Sequence, residues 1–181
     1  MRKLVPDPSV QFENRLARAI AQISNLGRDL QSLSHRLHSS NLKYLGLASA
    51  VFGHCRELAD QYNVHIEVES NEIPDDLPEE VSLCVFRVLQ EALQNAVKHS
   101  GSQHFEVSLF GGSGDLLLTV HDSGIGFDPA ETTKGPGLGL TSIRERMKLV
   151  DGELSIESGQ GDGTTIQVRV PLKSRARTAT V

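Results

Sequence analysis

Tryptophan is absent from the 181 residues, and aromatic side chains make up only 4% of them. Aliphatic side chains must therefore pack the interior, and a hydrophobic content of 38% suffices for a core of moderate size. Cysteine is scarce too. Cys55 and Cys84 are too few and too far apart for a disulfide scaffold or a paired-cysteine zinc site. Both fall on apolar positions of helical patterns, where a cysteine reads as a reduced core residue. No apolar run approaches the ~20 residues that span a bilayer, and the N-terminus lacks the apolar stretch of a signal peptide. Basic charge is also short: 18 Lys and Arg against 23 Asp and Glu leave a net charge of −5. That balance excludes broad nucleic-acid binding, which draws on a basic surface. The expectation is a cytoplasmic protein, or the soluble part of a larger one, with one ordinary domain and an accessory element.

The accessory element stands at the start. Phe12, Leu16, Ala19, Ile23, Leu26, Leu30, Leu33 and Leu37 are spaced alternately four and three apart. This is an a/d seam held for more than three heptads. Over residues 12–38 it predicts a coiled-coil-like helix about 40 Å long. A single narrow apolar edge gives such a helix no core of its own, so it needs partner helices. "HSSNLKYLGL" breaks the heptad, and Ser39 to Asn41 supply capping side chains. Residues 1–40 are thus expected to form an arm, 41–173 a domain, and 174–181, "KSRARTATV" without its first lysine, a disordered tail.

Within the domain, Leu47, Val51, Cys55, Leu58 and Tyr62 mark a short helix, and Val64, Ile66 and Val68 alternate as in a half-buried strand. Pro78, Glu79 and Glu80 suit the first turn of a helix that runs to His99 and stops at Ser100-Gly101. "HFEVSLF" and "LLLTVHD", joined by "GGSGD", predict a hairpin. A Gly- and Pro-rich stretch over 123–137 is too long for a mere connector. A helix from Leu138 to Val150 and a second hairpin, "ELSIES" to "TTIQVRVPL", complete the pattern. Helix, strand, helix, strand, strand, helix, strand, strand does not alternate as a doubly wound sheet requires. It predicts an α+β fold: one mixed sheet with its helices gathered on one face.

Three motifs carry chemistry. In "EALQNAVKHS", Glu91, Asn95, Lys98 and His99 fall within a stripe of roughly 100° that flanks the apolar face of Val81, Val85, Leu89, Ala92 and Ala96. Polar groups in that position line a cleft edge. A carboxylate, an amide oxygen and an ammonium in one row suit a Mg²⁺-triphosphate, because the ion takes hard oxygen ligands and the lysine meets phosphate charge. A solvated helix flank would look the same. In "DSGIGF", Asp122 ends a strand and Gly124 and Gly126 leave the backbone free to approach a flat ligand, as an ordinary turn also would. In "GPGLGLTSIRERM", Gly135, Gly137 and Gly139 precede a helix, whose free N–H groups and dipole favour phosphate. A Rossmann reading, with Glu157 as the ribose acid, fails because the spacing is GxGxG and no apolar strand leads into Gly135. No GxxxxGK[ST] loop is present either.

Taken together and in this order, the motifs resemble the ATP-binding domain of the Bergerat fold, shared by sensor histidine kinases, gyrase-type topoisomerases, heat-shock-90 chaperones and mismatch-repair MutL proteins. "EALQNAVKHS" resembles that family's N box, "DSGIGF" and "GPGLGL" its two glycine boxes, and "GDGTTIQVRVPL" its closing strands. Within the group, Lys98-His99-Ser100 and "LSHRLHSSNLKYLGLASAV" resemble kinases of the nitrate/nitrite-sensor type. The resemblance implies ATP and Mg²⁺ as cofactors, with Asn95 on the ion, Asp122 on the adenine amine and Thr165 near the ring. Glu91 would orient the attacking group. Lys98 and His99 would stand at the nucleotide. Gly124, Ile125, Gly126, Gly135, Gly137, Leu138, Gly139 and Leu140 would shape the pocket, with 128–136 as a mobile lid.

Kinases of that type phosphorylate a histidine on the first helix of a two-helix hairpin, in a Glu-Leu-His-Asp-like context. No such string occurs here. The heptad helix matches the second helix of the hairpin, so the resemblance places the phosphoacceptor upstream of Met1 and makes this chain part of a longer kinase that does not autophosphorylate strongly. His35 and His38, in "LSHRLHSS", become hairpin-end residues near the joint. His54 and His65 read as surface positions, His104 and His121 as strand ends. The implied partners are a response regulator and, in the intact kinase, a second copy; a membrane enters only through a region outside this sequence. Two other readings share the pocket: an anti-sigma-factor type serine kinase, and a nucleotide-gated interaction module without kinase activity.

Overall fold

Leu47, Val51, Cys55 and Leu58 recur every three or four residues, and they form the buried stripe of a helix, α1, over residues 44–62. The computed structural model describes residues 42, 44–112, 114–128 and 138–172. The heptad segment 12–38 with His35 and His38, the loop 129–136, Gly135, Gly137 and the tail 174–181 lie outside the described residues. β1 (His65–Asn71) follows α1. A loop containing Pro74 and Pro78 then leads into α2 (Glu79–His99). Pro78 occupies the N-cap, Glu79 and Glu80 the first turn, and Lys98 and His99 the last, so each end carries charge opposite to the helix dipole there. The Ser100 N–H closes the helix on the Ala96 carbonyl at 2.9 Å.

β2 (His104–Gly111) and β3 (Asp115–Asp122) form the first hairpin. After α3 (Leu138–Leu149), β4 (Glu153–Gly159) and β5 (Gly163–Pro171) form the second. The five strands lie in the order β1-β2-β3-β5-β4, with β1 parallel to β2 across α2 and every other pair antiparallel. This is the mixed sheet expected from the order of elements.

Register decides which residues share a face, because successive side chains point to opposite sides of a strand. Val68, Val107, Val120, Ile166 and Ile156 form one row across the sheet, and Leu109, Leu118, Val168 and Leu154 the next. These rows join the apolar stripes of α1, α2 and α3 in one core. The alternate set, Glu67, Glu106, His121, Thr165 and Glu157, occupies the opposite, polar face. Cys55 and Cys84 are free and buried in the core, as expected, and burial pushes the Cys55 thiol up to about 12. His54 departs from the surface position expected of it. It is half-buried, with its ring edge-on to Phe86 at a centroid separation of 5.7 Å, because the α1 stripe is wider than the periodic leucines indicate. Among the described residues no helix is long and apolar enough to cross a membrane.

Leu118 sits mid-sheet in a core row and is 1% exposed. Leu118→Ala should cost about 2–5 kcal/mol, a large share of the roughly 5–15 kcal/mol of a typical domain. Urea unfolding should show a lower midpoint with an unchanged m-value; a loss under about 1 kcal/mol would contradict this packing.

Candidate functional site

The core rows do not fill the sheet to its end. One row beyond Val107 and Val120, the register places Phe105, Asp122 and Thr164 side by side, so a carboxylate stands where an aliphatic side chain would continue the core. Asp122 is only 4% exposed. Above it opens a cavity of about 400 Å³, within the range typical of small-ligand sites. Ala92, Ala96, Val120, Ile166 and Leu140 give it apolar walls, while Asn95, His99, Ser100, Asp122 and Thr164 contribute polar groups. A flat, mostly apolar slot with one buried carboxylate suits a heteroaromatic ring bearing an amine.

The floor of the slot is the "DSGIGF" loop, held by backbone from both sides. The Ile125 N–H donates to the Ser100 carbonyl at the end of α2, and the Gly161 N–H, in the β4–β5 turn, donates to the Ile125 carbonyl, each at 2.8 Å. The Gly124 N–H donates to Asp122 Oδ1 at 2.9 Å, which fixes the carboxylate. The approach is close enough to require glycine. A Cβ on Gly124 would strike the Ser100 carbonyl and its Cβ, and one on Gly126 would strike the carbonyls of Gly159 and Gly163. Ser158 completes the brace: its Oγ accepts the Phe127 N–H at 2.9 Å, donates to the Gly163 carbonyl at 2.9 Å and meets Thr164 Oγ1 at 3.0 Å.

At the other end, Asn95 Nδ2 donates to Glu91 Oε1 at 3.3 Å, one helical turn apart along α2. The amide that donates toward Glu91 is left with its oxygen as a free acceptor, and Asn95 lines the cavity. The first turn of α3 lies directly on this pair through Gly139. That turn carries no acidic residue, so nothing of its own offsets the positive end of the helix dipole.

Of the residues singled out from the sequence, Asn95, His99, Asp122, Ile125, Gly126, Gly139 and Leu140 line this one cavity. Gly124 supports its floor and Glu91 stands behind Asn95. Leu138 opens α3. Lys98 is exposed and does not line the cavity. Thr165 is not on it either. Paired with His121, it faces the polar side of the sheet, where His121 Nδ1 and Thr165 Oγ1 are 2.9 Å apart. Thr164 takes the place at the cavity, since it pairs with Asp122 and period-two alternation gives neighbours opposite faces. Sequence reading also passed over Ser100, Phe127 and Ser158; the register that pairs Asp122 with Thr164 and Thr164 with Ser158 brings the last two into view.

The comparisons with known proteins agree with this geometry. Residues 80–174, more than half of the chain, match the family model described as histidine kinase-, DNA gyrase B- and HSP90-like ATPase. The chain belongs to that ATPase family. It is 35% identical over 150 residues to the oxygen sensor histidine kinase NreB of Staphylococcus carnosus (strain TM300), an alignment covering 83% of this chain and 43% of NreB. The chain thus spans less than half the length of that curated relative. The fold is shared with the histidine kinase domain of the Erythrobacter litoralis EL346 blue-light activated histidine kinase, at a TM-score of 0.63 and 23% identity, covering 87% of each chain. The Acinetobacter baumannii histidine kinase AdeS shares it too, at a TM-score of 0.60 and 18% identity, over 94% of this chain and 88% of that one.

In this histidine-kinase-like ATPase domain the site is electrically strained. Burial pushes the Asp122 carboxyl above the usual range, and the Gly124 N–H, the charge of His121 and the Thr164 N–H offset only part of that push. A raised pKa means that the empty folded domain holds this proton more tightly than the unfolded chain. The stabilisation is therefore full below the ordinary carboxylate range and is lost as pH rises through the raised value. The wild type should accordingly lose stability relative to Asp122→Asn as pH rises above the ordinary carboxylate range, about 4. Parallel thermal melts without nucleotide test this, and a difference that stays constant above that pH would refute it.

Proposed function

We propose that this chain is the ATP-binding catalytic part of a two-component sensor histidine kinase. Mg-ATP binds in the cavity, its γ-phosphoryl group passes to a histidine outside this chain, and a response-regulator aspartate receives it next. The observation that carries the reading is the buried Asp122 carboxylate at the floor of an apolar slot, with an Asn95–Glu91 pair at the far end. The similarity to NreB favours a histidine acceptor over a serine.

Each residue then has a task. Asp122, with one oxygen held by Gly124, accepts a hydrogen bond from the adenine amine through the other. Ala92, Ala96, Val120 and Ile166 cover the ring faces, and Thr164 takes the place beside Asp122 first expected of Thr165. Ile125, Gly126 and Leu140 close the slot, His99 stands at its mouth, and exposed Lys98 meets phosphate charge from outside. Gly135, Gly137 and Leu138 bring backbone N–H groups and the α3 dipole to the phosphates, with 128–136 acting as a lid.

The donors fit magnesium. Among the described residues no three His, Cys, Asp or Glu side chains gather as a cage, whereas the Asn95 amide oxygen offers one hard ligand. That suits an ion which keeps several waters and leans on substrate phosphates. When bound, Mg²⁺ neutralises charge on the β- and γ-phosphates. Glu91 orients the acceptor imidazole and takes its N–H proton as the N–P bond forms and the bond from the γ-phosphorus to the bridging oxygen breaks, releasing ADP. Residues 1–40 serve as the second helix of the dimerisation hairpin, 41–173 as the catalytic domain and 174–181 as a tail. The working location is the cytoplasm.

Mg-ATP or Mg-ADP at about 100 times its Kd should stabilise the chain by roughly 2.7 kcal/mol, a shift of several degrees in Tm. Asp122→Ala should abolish the shift, and Asn95→Ala should remove its magnesium-dependent part. No shift with either nucleotide rejects the reading. With γ-labelled ATP the chain alone should stay unlabelled, and an added histidine-bearing first-helix fragment should acquire acid-labile label; acid-stable label on a serine would reassign the acceptor.

A further inference from the structure

Gly139 differs in kind from the other glycines of the site. At Gly124 and Gly126 a Cβ would run into backbone carbonyls, which cannot retreat without moving an element. At Gly139 the three nearest atoms it would meet are side-chain ends: Asn95 Nδ2 at 2.8 Å, Glu91 Cδ at 3.1 Å and, closest of all, Glu91 Oε1. Substitution at Gly139 is therefore cheap for the fold and expensive for one carboxylate.

α3 cannot slide away to relieve that contact. Its far end is tied to α2 where Cys84 Sγ donates to the Arg146 carbonyl at 3.0 Å; Ile143, between these two points, and Met147, just past the second, are buried. Gly139 lies over Glu91 and Asn95 near the C-terminal end of α2, and Arg146 over Cys84 near its start, so the two helices run antiparallel with their relative register fixed. The surface beneath Gly139 is thus a rigid wall, and the Glu91–Asn95 hydrogen bond lies against it.

We infer that Gly139 is a positioning residue for Glu91: its bare α-carbon defines the one place where the carboxylate rests, bonded to Asn95 and aimed along the cavity edge. This rests on the proposed kinase reading, in which Glu91 acts on the phosphate acceptor, and it departs from the role first given to Gly139, that of exposing backbone N–H groups to phosphate. The two roles predict opposite kinetics. A phosphate-binding glycine, when substituted, weakens nucleotide binding. A glycine that seats the carboxylate, when substituted, leaves binding intact and slows the chemical step, since a misplacement of about 1 Å costs on the order of 100-fold in rate.

The test uses Gly139→Ala, Glu91→Asp and the double variant, each compared with wild type in three measurements. Gly139→Ala should keep its Tm or gain about 1–3 °C, since alanine is the better helix former. Its Kd for ATP, read by displacement of a fluorescent ADP analogue, should stay within about threefold of wild type. Single-turnover transfer of the γ-phosphoryl group to the added histidine-bearing first-helix fragment, measured with protein and fragment in excess over ATP, should fall at least about tenfold. In the double variant the carboxylate recedes by one methylene from the new Cβ, and the rate should recover about fivefold or more over Gly139→Ala alone, a non-additivity expected only of groups in contact. Loss of ATP affinity in step with the rate, or effects of the two substitutions that simply multiply, would overturn the inference while leaving the kinase reading in place. A wild type that binds no nucleotide would remove both.

Discussion

The site depends on a contact between main chains. The "DSGIGF" loop is gripped by the end of α2 through Ser100 and by the β4–β5 turn through Gly161, with Gly124 and Gly126 packed so tightly against carbonyl groups that no side chain fits between. Elements distant in sequence are thereby joined without the slack of side-chain rotamers. Backbone contacts of this kind set the position of Asp122 to within the stiffness of the sheet, because its carboxylate is in turn fixed by the Gly124 N–H. A carboxylate on a loop anchored only by side chains would have to be ordered again at each binding event, at a cost in conformational entropy.

That rigidity carries a standing cost. Asp122 occupies a place in a core row, next to Phe105, where an aliphatic residue would pack. Burial raises its pKa, so its ionised form weakens the empty domain. Local consistency between pattern and packing is broken at this position, and such breaks concentrate where function demands them. The adjoining row of Val68, Val107, Val120, Ile166 and Ile156 is apolar throughout, so the rest of the sheet sustains the one violation.

Most of this was legible in the sequence, for a physical reason. Periodicity identified α1 and the strands because each buries one face. By contrast α2, buried all round at residues 84–89, was legible from its end signals and from Val81, Val85, Leu89, Ala92 and Ala96; the order of elements excluded a doubly wound sheet. The boundaries of α2 were legible because Pro78, Glu79 and Glu80 at one end and Ser100-Gly101 at the other are chemical stop signals. What escaped was whatever depends on how strands pair. Thr165 was chosen over Thr164 because composition does not say which of two adjacent threonines faces the helices; the register of β5 against β3 does. Ser158 was invisible for the same reason, since its partners Phe127, Gly163 and Thr164 meet it only in the folded hairpin. His54 was misplaced because an aromatic contact with Phe86 of another helix leaves no periodic trace.

The two ends of the cavity are built from different materials, and this has a consequence for control. The Asp122 end is fixed by backbone hydrogen bonds and carbonyl contacts, whereas the Asn95–Glu91 end is fixed by two side chains leaning on each other and on Gly139. Side chains move by ångströms at little cost, and backbone braced on both sides does not. Under the proposed kinase reading, affinity for the nucleotide base and competence for phosphoryl transfer are separable properties. A small change in how Glu91 and Asn95 lean on each other redirects the carboxylate without disturbing the braced Asp122 end. Under that reading the domain can stay charged with nucleotide while its chemistry changes, which a uniformly rigid site would not allow.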